Sequence, residues 1–114
     1  MASRRVTDHF GVLEYLKDLT KLEQKKFIET ASCELLKTIS EICLNLLKGS
    51  IKLPSEELAK LKKYKLQIVS LARKKHSIKK RKVICNQKGG FLGSLISACI
   101  PAIISGIVSA TSRR

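Results

Sequence analysis

Lysine and arginine are the side chains with chemistry to offer in this chain. Twelve of them fall between Lys60 and Lys88, with no acid among them. A cation that reaches a nucleic-acid phosphate releases condensed counterions, so this run predicts tight, steeply salt-dependent binding of a polyanion. The residues expected to neutralise phosphate are Lys62, Lys63, Lys65, Arg73, Lys74, Lys75, Lys79, Lys80, Arg81, Lys82 and Lys88. Asn86 and Gln87 are amides at the end of the run and Tyr64 is its only aromatic, so contact with the backbone is expected rather than readout of bases. A solvated basic face, or a nuclear-import signal at Lys79 to Lys82, fits the same residues.

The charge is divided along the chain. All nine acids lie at or before Glu57, where nine cations balance them. The remaining 14 cations follow, so the whole net charge of +14 belongs to the second half. Such a field recruits nucleic acid or an anionic membrane surface. Catalysis finds no support: His9, His76 and the scattered acids make no triad or carboxylate pair. Gly89-Gly90 lacks the following Lys-Ser/Thr and the preceding strand of a phosphate loop. Cys33, Cys43, Cys85 and Cys99 have no zinc-ligand spacing, and neither a metal nor a cofactor is expected. Within one helix, Cys33 and Cys43 would stand roughly 15 Å apart, too far to bridge. All four cysteines are expected to be small buried apolar residues in a reducing compartment. No signal peptide is expected at the start of the chain, because Val6 to His9 is not an apolar run.

The elements that must position these cations are helices. Aromatic residues are few and hairpin signals absent, so the expected fold is all-α: a small bundle of three to four helices over residues 8–75. A flexible arm over residues 1–7 precedes it, with Arg4 and Arg5 able to touch phosphate. Phe10, Leu13, Leu16 and Leu19 mark a first apolar face. Thr20-Lys21-Leu22-Glu23 is a capping box opening a longer pattern from Leu22 through Ile28, Leu35, Ile39 and Ile42 to Leu46, with Thr30 and Ser32 as the candidate break within it. Gly49 ends it. After the extended connector Ile51 to Pro54, Ser55 is expected to cap a helix that buries Leu58, Leu61, Ile68, Leu71 and Ala72. Ser77 caps a short cationic helix from Ile78 to Lys88. Residues 76–90 are taken as a basic arm and Gly-Gly hinge. The succession of central helix, connector and following helix is similar to that of a histone fold.

From Gly89 to Ser112 there are 24 uncharged residues, long enough to span a bilayer but interrupted by Pro101. Residues 91–114 are expected to form a hydrophobic helical tail. Ala98, Ala102, Gly106 and Ala110 recur every four residues, a stripe suited to close helix contact in a membrane or between copies.

The order of a Lys/Arg run, then Gly89-Gly90-Phe91-Leu92, then a Pro-interrupted apolar tail resembles the precursor of adenovirus core protein X, also called mu. That resemblance covers about 30 residues and implies three things: genome condensation by the cations, a viral cysteine protease that cuts after Gly90, and a site read through Gln87, Gly89, Gly90 and Phe91. The helical first part is unlike that family, and Lys replaces its Arg. The whole layout resembles small core proteins of Polinton or adintovirus elements, which have a similar Leu-rich helix pair, a connector like Gly49 to Leu53 and a Lys-Lys-Arg-Lys…Gly-Gly-Phe ending.

The function expected from all this is non-enzymatic, sequence-tolerant DNA binding and condensation by a virus-like core protein precursor in virion and host nucleus. Its expected partners are DNA, a viral cysteine protease, a capsid protein and other copies of itself. The alternative is a single-pass membrane protein whose basic segment marks the cytoplasmic flank. A membrane-lytic entry factor is a third reading.

Overall fold

Helix succeeds helix in this chain because caps recur at short intervals. The structure, a computed structural model, describes residues 6, 8–49, 51–73 and 75–112, with side chains described as far as residue 102. Helix α1 spans Phe10–Lys17, α2 Lys21–Glu29, α3 Cys33–Lys48, α4 Ser55–Leu61, α5 Lys65–Ala72, α6 Ile78–Asn86 and α7 Phe91–Ser112, with a 3-10 turn at Lys62–Tyr64 between α4 and α5. No strand occurs among the described residues. The protein is an all-α bundle.

Local chemistry sets the boundaries. The capping box at Thr20 is complete: the Glu23 amide donates to Thr20 Oγ1 at 3.2 Å and the Thr20 amide to Glu23 Oε1 at 2.8 Å. The Thr20 amide, and after it the Thr20 hydroxyl, hold the Glu23 carboxyl below its ordinary range. The long pattern from Leu22 to Leu46 does break, and Ser32 restarts it by accepting from the Leu35 amide at 3.1 Å. Gly49 ends α3 at φ 79°, a left-handed angle that glycine adopts without strain. Ser77 accepts from the Lys80 amide at 3.2 Å. Ser55 does not cap: Pro54 holds the N-cap position of α4 without a side-chain bond, and its fixed φ suits that turn.

One core receives every helix. α3 packs chiefly on α5, α1 on α7, and α2 on α6, while α6 also meets α3 and α5. Leu13, Leu16, Ile28, Leu36, Ile39, Ile42 and Leu71 are fully buried within it. Two residues placed on apolar faces lie instead at their margins: Leu22 is 62% and Leu58 45% exposed. Val6 is buried, so the arm expected over residues 1–7 meets the core by that position; Arg4 and Arg5 lie outside the described residues.

The apolar run after Gly90 is the main departure from expectation. Phe91, Leu92, Leu95, Ile96, Ala98, Cys99 and Ile100 are buried in the same core as α1 and α3. Gly90 therefore separates two compositions, not two packing units. A bundle poor in aromatic residues needs this apolar area, and α7 supplies it. α7 continues through Pro101 rather than dividing there. Proline removes one amide donor, and Ser97, whose carbonyl would have accepted it, is exposed to water. The stripe of small residues begins in the core: Ala98 is buried and Ala102 half-buried, both against this chain's own helices. Gly106 and Ala110 fall beyond the described side chains. Among the described residues, no helix is long and apolar enough to cross a membrane. The radius of gyration, 13.3 Å, is that of a single folded domain of this length.

Candidate nucleic-acid interface

The cations divide by what the apolar positions around them require. From α4 through α5, Leu61, Tyr64, Ile68 and Leu71 recur at intervals of three, four and three and are all buried. The residues between them must face outward, and Lys60, Lys62, Lys63 and Lys65 are exposed. Lys60 pairs with Glu57 at 3.4 Å, a surface contact of small energetic weight. Lys63 lies over the Tyr64 ring, 5.2 Å from its centroid, and Tyr64 in turn stacks obliquely on buried Phe91 at 5.5 Å. Arg73 and Lys75 are exposed in the following turn; Lys74 lies outside the described residues.

The second cationic stretch is not an arm. It folds as α6, with Ile84 and Cys85 in the core. Lys79 and Lys80 are exposed in its first turn, where the helix dipole disfavours positive charge. The dipole gives them no stabilising role there, and both are presented to solvent. Arg81 is only 7% exposed, and its Nε donates to the His76 carbonyl at 3.2 Å. Lys82 donates through Nζ to the Glu29 carbonyl at 2.9 Å, at the C-terminus of α2, where carbonyls lack helical partners. Lys88 donates to the Lys63 carbonyl at 3.0 Å. Three of the cations assigned to phosphate thus hold backbone carbonyls of this chain.

The structure also brings in cations that the charge tally left aside. Lys21, Lys25 and Lys88 line a groove of about 340 Å³ beside Gly89 and Gly90, with Gln24 and Asn86. An adjoining groove of about 410 Å³ adds Lys17 and Lys60, with Glu57 on its wall. Lys17, Lys21 and Lys25 belong to the charge-neutral half of the sequence. Lys21 and Lys25 stand four apart within α2 and so share a face, and Lys17 joins them from the end of α1. Averaging charge over residues 1–57 concealed this grouping.

At the centre of these grooves sits the Gly-Gly turn. Gly90 has φ 87°, and a Cβ there would stand 3.3 Å from Tyr64 Oη and 3.4 Å from Lys21 Cε. Gln87 caps the end of α6, and its Oε1 accepts from buried Gln67 at 3.2 Å. Phe91 is completely buried. The four residues assigned to a protease site therefore lie at a turn between two core helices rather than in an extended segment, with Gln87 and Gly89 exposed.

The thiols do no visible chemistry. Burial raises Cys43 well above the ordinary thiol range and pushes Cys85 and Cys99 up to about 12, so all three stay protonated. Cys33 departs from expectation and is exposed at the start of α3. Among the described residues, no group of three or more His, Cys, Asp or Glu side chains could hold a metal ion. No family model, curated protein or solved structure matches the chain.

Proposed function

We propose that the chain is a non-enzymatic, sequence-tolerant DNA-binding protein that grips the phosphate backbone and condenses a genome in a virus-like particle. The observation that carries the DNA-binding part is the gathering of cations from separate elements. Lys17, Lys21, Lys25, Lys60 and Lys88 surround the Gly-Gly turn, and Lys62, Lys63 and Lys65 are exposed on the helical run that leads away from Lys60. Glu57, on the wall of one groove, pairs with Lys60, and no acid follows it in the sequence. The amides that line the grooves, Gln24 and Asn86, donate to the Leu16 and Lys25 carbonyls, which fits a contact that ignores sequence.

The virion part rests on the resemblance of the Lys79-to-Leu92 segment to adenovirus core protein X precursors and to Polinton and adintovirus core proteins. Removal of the segment after Gly90 does not belong to this function, because it would strip seven buried residues from the core. Anchoring by a membrane-spanning tail gains no support either, since the first half of that segment is occupied within the bundle.

Retention of full-length protein on DNA across a salt series tests the binding. A plot of log affinity against log salt is expected to fall by about 0.9 for each phosphate neutralised. A nearly flat plot would rule out phosphate contact as the basis. The virion setting is tested by genomic neighbours: a protein-primed polymerase, a capsid protein and a cysteine protease nearby would support it, and their absence would remove its basis.

A further inference from the structure

A separate cleft of about 530 Å³ opens on α3, and it shares no lining residue with the grooves around Gly89-Gly90. Lys37, Ser40, Glu41, Asn45 and Lys48 line it from α3, and Arg81 faces them from α6. Their spacing along α3 is that of one helical face. Ser40 is 6% exposed, and its hydroxyl has no hydrogen-bond partner. Buried hydroxyls are normally bonded, because leaving one unpaired costs stability. Here Ser40, its hydroxyl buried just beneath the surface, lies in the wall of a cleft that, among the described residues, carries three cations against one acid, Glu41. The cleft exceeds what a bare oxyanion would fill and lies in the range of small-molecule sites.

We propose that this cleft binds a phosphate group carried on an organic body of nucleotide size. Lys37 and Lys48 supply charge from α3, Arg81 adds positive charge from α6 while its Nε stays on the His76 carbonyl, and the Ser40 hydroxyl donates to a phosphate oxygen. Leu44 and Ala72 give the attached body an apolar wall. The phosphate comes either from a free nucleotide or from a nucleotide within a nucleic-acid chain. The inference does not depend on DNA binding at the Gly-Gly grooves, since no residue is common to the two sites.

Titration of the full-length chain with AMP, followed through backbone amide resonances, tests it. The amides of Lys37, Ser40 and Lys48 are expected to shift together, and adenosine, which lacks the phosphate, to bind at least about tenfold more weakly. Ser40→Ala and Lys48→Gln each leave the fold intact, which the amide spectrum verifies, and weaken AMP several-fold. A short duplex that displaces AMP identifies the nucleic-acid chain as the source; a duplex that fails to displace it identifies the free nucleotide. Either displacement result supports phosphate recognition. Equal binding of adenosine and AMP, shifts elsewhere on the protein, or unchanged affinity in folded Ser40→Ala would overturn it.

Discussion

The stretches Lys60 to Lys75 and Lys79 to Lys88 look alike in composition and are used differently. In the first, Leu61, Tyr64, Ile68 and Leu71 take the buried side, and Lys62, Lys63, Lys65, Arg73 and Lys75 are left in solvent. In the second, Arg81 is buried, and Lys82 and Lys88 are bonded to carbonyls of other elements. A helix C-terminus carries partial negative charge, so it can take a lysine that a charge count assigns to phosphate. Cationic density thus measures supply. Which cations remain for a partner depends on the carbonyls that folding brings within reach.

The difference can be broken or sharpened by experiment. The largest effect is expected at Phe91, whose burial joins the second stretch to the core. Phe91→Ala should cost about 3–5 kcal/mol in urea unfolding, whereas a detached tail would show no loss. Next, replacing Lys62, Lys63 and Lys65 together by Gln should reduce the DNA salt slope by about two to three, while Lys82→Gln leaves it unchanged. A smaller slope in Lys82→Gln would erase the distinction between the stretches. Arg81→Ala should destabilise by about 2 kcal/mol through its lost buried bonding, against no more than about 0.5 kcal/mol for Lys62→Ala. Equal losses in the same unfolding assay would contradict the division.

The last effect is confined to alkaline pH. Burial raises the Cys85 and Cys99 thiols from 9.0 to about 12, so the folded state keeps protons that the unfolded chain releases. Their contribution is fully present below pH 9 and is lost as pH rises towards 12. Melting temperatures across that window should fall, and replacing Cys85 and Cys99 by Ala should flatten the fall. A pH profile unchanged by those substitutions would exclude thiol ionisation as its cause.

Features that depend on near neighbours were legible. The capping box at Thr20, the glycine stop at Gly49 and the cap at Ser77 each follow from a few adjacent residues, and each is present. Periodicity located the apolar faces but not their edges, which is why Leu22 and Leu58 are exposed. A stripe has a width, and only the packed partner determines it. The fate of Phe91 to Ile100 was not legible for another reason. An uncharged apolar run satisfies a bilayer and a bundle interior equally, and what decides is unfilled space contributed by α1 and α4. The candidate interface was half legible. The exposed lysines follow from the spacing of Leu61, Tyr64 and Ile68, but the bonds of Lys82 and Lys88 end on main-chain carbonyls, which every residue possesses.

The left-handed glycine at Gly90 bears on timing. A protease acts on chain that has opened, and its rate then follows the population of the open form. Here opening means drawing Phe91 from beneath Tyr64 and lifting Lys21 from the turn. Cutting at this peptide would report how often α7 leaves the bundle, whatever the enzyme's preference for glycine. A ligand that holds α7 down would slow the cut, and a partner that draws α7 away would hasten it. The turn that looks most like an address for an enzyme is, in the folded chain, a latch.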